Sequence, residues 1–174
     1  PLPVLSGAVV VLYLCGVAGF LRAGAVTVLL ALAAVWVAGL VQCRPAGVVS
    51  AWKEALSAPG FTLFLGGAAF IWCLFALHRP MFTQWDEFTA WGLAPKMVVE
   101  RAAFYVADPV NLKASFTYPA TSLVTFLFQP FGTWAEWACL AALDTLALAC
   151  LAAASALPRA QWAGGVLVFG AGFV

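Results

Sequence analysis

Charge is what this sequence has least of. Of 174 residues, eight are Lys or Arg and seven are Asp or Glu, 9% of the chain. A soluble domain carries about 25%, and a water-facing surface cannot be built from so few charges. The net charge is +1, and there is no basic stripe or RNA-binding motif, which removes the case for a nucleic-acid partner. The five cysteines, at positions 15, 43, 73, 139 and 150, form no CxxC and no Cys/His metal spacing. Four of them fall inside apolar runs and read as small buried apolar side chains. The first run has no basic segment before it and no small-x-small cleavage site after it, so it reads as a spanning helix rather than a signal peptide. The sequence opens at Pro1 without Met and stops at Val174 inside an apolar run. The expectation is a segment of a longer protein.

Apolar residues take the place of the missing charge, at 65% of the chain with a mean hydropathy of +1.03. The fold class expected is all-α, a polytopic bundle of transmembrane helices treated as one membrane region over 1–174. A crossing needs roughly 20 apolar residues. Runs that meet or approach this lie at 4–21, 24–41, 61–77, 120–134, 137–157 and 162–174. The linker between the first two permits only a tight hairpin. Val48, Val49, Trp52 and Leu56 share one helical face, with Lys53 and Glu54 on the other, which suits either a short helix on the membrane surface or an ordinary loop helix. The fourth run is short and flanked by Pro119 and Pro130, so it either just spans or enters part way.

The one long break between apolar runs is residues 78–119. Together with Ser122 at its edge, the stretch from His78 holds eight of the fifteen charged side chains: Arg79, Asp86, Glu87, Lys96, Glu100, Arg101, Asp108 and Lys113. Thr83-x-x-Asp86 has the form of a capping box with Asp in place of Glu or Gln. Pro95 suits the first turn of a further helix over 95–104. Two short interfacial helices are expected, broken at 92–95, with Phe88, Trp91, Val98 and Val99 apolar and Lys96, Glu100 and Arg101 polar.

Asp86 and Glu87 lie between Trp85 and Phe88, just past the membrane surface. A carboxylate in that low-dielectric setting can act as a general base on an attacking hydroxyl. It can equally hold a divalent metal, Mg2+ or Mn2+, beside a phosphate. The plain alternative is that Asp86 caps a helix and Glu87 is solvated. Lys96, Arg101 and Lys113 offer charge-assisted hydrogen bonds to a lipid-linked phosphate, or to lipid headgroups. His78 reads as a hydrogen-bonded end group. Asp144 sits midway along an apolar run. A carboxylate at that depth costs at least roughly 2.5–3.5 kcal/mol, so it must meet a partner or a cavity.

The order of these residues resembles the GT-C superfamily of polytopic glycosyltransferases, which includes aminoarabinose transferases and protein O-mannosyltransferases. A spanning run leads to Trp85-Asp86-Glu87-Phe88. About thirty residues later Tyr118-Pro119 opens a short apolar helix ending at Phe131-Gly132, and a longer run follows. The resemblance covers roughly residues 61–174. It implies an extracytoplasmic loop over 78–119, with Asp86 at the catalytic acidic position and Glu87 as its neighbour. Tyr118 and Pro119 match the start of the helix after the loop. Lys96, Arg101 and Tyr118 are the candidates for donor-phosphate or substrate contact. The implied partners are the lipid bilayer, a polyprenyl-phosphate sugar donor, and a glycan, lipid or protein acceptor. The implied location is a bacterial plasma membrane. The sequence departs from the family at Ala120, where relatives have a second proline, and near Cys139, where many carry an arginine.

Other classes stay open alongside it: an O-antigen polymerase or ligase-like enzyme, and a non-enzymatic transporter or assembly subunit. A transporter places polar groups and broken helices at mid-membrane; here only Asp144 is clearly polar at depth. Basic residues argue about orientation. With six spans and the loop outside, Arg44 and Lys53 face inward, while Arg22, Arg79, Lys96, Arg101, Lys113 and Arg159 face outward. A count of basic residues alone favours the reverse.

Overall fold

The computed structural model describes residues 2–42, 45–84, 92–104 and 119–155. Among them there are seven α-helices and no strand: α1 (Leu2–Val17), α2 (Leu21–Gln42), α3 (Pro45–Ser57), α4 (Pro59–His78), α5 (Leu93–Arg101), α6 (Pro119–Phe128) and α7 (Glu136–Ser155). Three of these, α2, α4 and α7, are long and apolar enough to cross a membrane. Their outward surfaces are apolar too: Leu30, Val35, Trp36 and Val37 of α2 and Leu63 and Phe70 of α4 are all exposed. A helix that is apolar on every side belongs in a membrane or a protein core. These helices lie at the outside, so the medium they suit is lipid.

The break between α1 and α2 is set by Gly19. Its φ is +81°, and the two hydrogen bonds of a Schellman close are present, Gly19 N–H to Gly16 C=O at 3.2 Å and Phe20 N–H to Cys15 C=O at 2.8 Å. Glycine takes that conformation without a Cβ clash. The first run was expected to continue to 21 and stop at Arg22. Instead Arg22 lies in the first turn of α2 and is exposed, where a long basic side chain can reach toward water from a helix end.

The hairpin is closed at Gly24. A Cβ built there would meet Cys15 Cβ at 2.6 Å, closer than two carbons can approach. Gly24→Val should therefore force α1 and α2 apart and cost about 1–3 kcal/mol, the usual range for overpacking. Gly39→Val, in the same helix with open space around it, should be near neutral. Thermal unfolding in detergent distinguishes the two.

The buried core is built from α1, α2, α5 and α6: Leu12, Leu21, Val98, Leu123 and Phe126 are at its centre. α4 packs chiefly along α7. Gly67 lets Leu148 lie directly on the α4 backbone, and Trp72 Nε1 donates to Thr145 Oγ1 at 3.0 Å. With Gly67 against Leu148, and Trp72 against Thr145 and edge-on to Trp137 at 6.0 Å and 82°, the helices run antiparallel. The C-terminal end of α4 thus lies beside the N-terminal end of α7.

α3 covers the stretch whose spacing suggested a helix, and Lys53 and Glu54 are exposed. Trp52 packs edge-on against Phe61 at the start of α4, at 6.3 Å and 66°. In the fourth apolar run, which was counted as a span over 120–134, the helix ends at Phe128 and a turn begins at Gln129 and Pro130. Ten residues make about 15 Å of helix, half of a hydrocarbon core of about 30 Å. As described, α6 is shorter than a crossing needs.

Candidate functional site

The described part of the site lies where α4 ends and α7 begins. α4 closes at Arg79, in the left-handed region at φ 46°, with its N–H on Phe75 C=O at 2.7 Å. Pro80 prevents the helix from resuming. The chain then reaches Phe82, which is buried. The Phe82 backbone N–H donates to the Glu136 carboxylate, Oε2, at 2.9 Å. Its ring lies against Trp134, centroids 6.1 Å apart. The segment that leads into the acidic pair is thus held at both backbone and side chain, four residues before Asp86.

Glu136 is the first residue of α7, a position where a carboxylate also complements the unpaired N–H groups of a helix start. Next to it, Gln129 Oε1 accepts from Ala135 N–H at 3.0 Å, which fixes the α6–α7 turn. Gln129 Nε2 is buried and has no hydrogen-bond partner among the described residues. Trp72 completes the floor, with Phe128 at 5.2 Å and Trp137 on its other side.

α5 supplies the cations. Ala94, Met97, Val98 and Val99 are buried against the core, so the expected division into apolar and polar faces is present, with protein rather than lipid beneath the apolar one. The helix starts at Leu93 and places Pro95 in its first turn. Lys96, Glu100 and Arg101 are exposed. Lys96 Nζ lies 4.0 Å from Glu100 Oε1, both about half exposed. Such a pair is worth little and leaves the lysine available to an anion. Arg101 follows Lys96 by five residues, which turns it about 140° around the axis. The two cations therefore do not share one face of α5.

Asp86, Glu87, Lys113 and Tyr118 lie outside the described residues, as does any metal held by Asp86. Among the described residues, no group of three or more His, Cys, Asp or Glu side chains is placed to hold a metal ion. His78 is exposed as the last residue of α4. The four cysteines described are free: Cys139 is buried, Cys15 and Cys150 are partly buried, and Cys73 is exposed. Asp144 is exposed on α7, while its neighbour Thr145 is buried and bonded.

Glu136 and Gln129 were not singled out from the sequence. An acid directly ahead of a long apolar run is a local sign of a helix start. The Phe82 bond spans 54 residues, and no local pattern reveals it. No protein-family model, curated protein or solved structure matches the chain.

Proposed function

We propose that this chain belongs to a membrane glycosyltransferase of the GT-C type. It would move a sugar from a polyprenyl-phosphate-linked donor to an acceptor at the outer face of a bacterial plasma membrane, with residues 78–119 on that face. The observation that carries the reading is the sequence order around the acidic pair: Trp85-Asp86-Glu87-Phe88 after one long apolar helix, Tyr118-Pro119 at the head of α6, and α7 beyond. The tether from Phe82 to Glu136 supports it, because a base or metal ligand must be held in place to work. The exposed Lys96 and Arg101 support it as well, as charged donors on α5.

In this mechanism the lipid tail of the donor stays in the bilayer and its phosphate meets Lys96 or Arg101. Asp86 takes the proton of the acceptor hydroxyl; in the metal reading it would instead hold a divalent cation, which would supply charge stabilisation for the leaving phosphate. The acceptor oxygen then forms its bond to the anomeric carbon as the bond from that carbon to the donor phosphate oxygen breaks. The phosphate leaves with the electron pair. Glu87 supports Asp86, and Tyr118 lines the approach.

Sidedness tests the proposal. Single cysteines at Thr83 and Asn111, in full-length protein stripped of its native cysteines, should react with a membrane-impermeant thiol reagent on intact cells. Labelling only after permeabilisation would put the acidic pair in the cytoplasm and end the glycosyltransferase reading.

A further inference from the structure

Asp144 is the ninth of the twenty residues of α7. It lies about 12 Å from one end of the helix and about 16 Å from the other, the depth where a carboxylate is hardest to keep in lipid. It is exposed, and among the described residues it has no hydrogen-bond or ion-pair partner. The opposite side of α7 is occupied, with Ala138, Ala142, Ala149 and Ala152 buried and Thr145 bonded to Trp72. On the other side the half-buried Leu140 and Ala147 and the exposed Asp144 and Leu151 fall at i, i+7, i+4 and i+11, the spacing of one helix seam. This is an apolar stripe with a single acid at its centre.

Among the described residues this acid has no cationic counterpart at its own depth. Among the described residues the cations are Arg22, Lys53, Arg79, Lys96 and Arg101. None lies in the central turns of α1, α2, α4 or α7. Residues 162–174 contain no Lys, Arg or His. A second copy would bring a like charge to the seam. We infer that the Leu140–Asp144–Ala147–Leu151 face is a docking surface for a transmembrane helix of a partner protein that carries a Lys or Arg midway along its apolar run. The ammonium or guanidinium would pair with the Asp144 carboxylate, and the flanking leucines would pack along the partner helix.

The probe is a synthetic apolar helix of membrane-spanning length with one central Lys, compared with the same peptide carrying Leu there. Both are mixed with the full-length protein in phosphatidylcholine vesicles, and association is read by resonance energy transfer. The Lys peptide should bind roughly tenfold more tightly than the Leu peptide, in line with polar contacts between membrane helices. Asp144→Leu should abolish the difference and Asp144→Asn should reduce it. The leucine variant keeps α7 apolar, so its insertion is preserved and is checked by resistance to carbonate extraction. Equal binding of the two peptides, or a preference that survives Asp144→Leu, overturns the proposal. So does disulfide cross-linking between two copies through Leu140→Cys, which would make the seam a self-association face.

Discussion

Asp86→Asn is expected to reduce sugar transfer by at least about a hundredfold, because a positioned general base contributes roughly 10²–10⁴ in rate. The same replacement weakens a metal site by removing the ligand charge, so the direction holds for either role of the carboxylate. The substitution is chosen for what it preserves. Asn matches Asp in size and can still accept a hydrogen bond through its amide oxygen. If Asp86 only supported the start of a helix, losing its charge would cost about 0.3–1 kcal/mol, too little to disable the protein. Abundance in the membrane should therefore stay at the wild-type level while transfer to acceptor falls. An Asp86→Asn protein that transfers at the normal rate would return Asp86 to a capping role.

The second large effect should come from Glu136→Ala. The Phe82 N–H would lose its charged acceptor in a partly buried site, at a cost of about 1.5–3 kcal/mol for a bond of this type. The ring contact with Trp134 would remain, so the segment should loosen rather than leave. Misplacement of a reacting group by 1 Å can cost about a hundredfold in rate. The expected result is a fall of roughly ten- to a hundredfold in kcat with little change in KM for the donor. Amide exchange provides an independent readout: Phe82 should lose protection, and the interior of α7 should not. Glu136→Gln keeps an acceptor and should recover part of both. Unchanged exchange at Phe82 would show that Glu136 does not hold the segment.

What could be read from sequence follows from the range of the interactions involved. α2 and α4 were legible because an apolar run of sufficient length needs no knowledge of its neighbours. α3 was legible from the shared face of Val48, Val49, Trp52 and Leu56. The end of α1 was placed too late because Arg22 looked like a stop, whereas the chain turns on the backbone freedom of Gly19. α5 kept its polar and apolar division, but the burial of Val98 and Val99 depends on α1, α2 and α6 arriving from elsewhere in the chain. The same limit hid Glu136, whose partner is remote. Lys96 and Arg101 were chosen for their charge and are both exposed, but helical geometry parts them. Asp86, Glu87 and Tyr118 fall outside the described residues.

The shortness of α6 also changes the parity of the chain. If α4 and α7 are consecutive crossings, Arg79 and Ala135 lie on the same side of the bilayer. A thiol label at Thr133 should then report the same compartment as one at Thr83. Parity also alters the tally of basic residues. Of the eight Lys and Arg, six stood on the side of the acidic pair when α6 was counted as a crossing. If α6 does not cross, Arg159 would join Arg44 and Lys53, and six against two would become five against three. On that count the objection that basic residues raise to an outward-facing Asp86 would be correspondingly smaller.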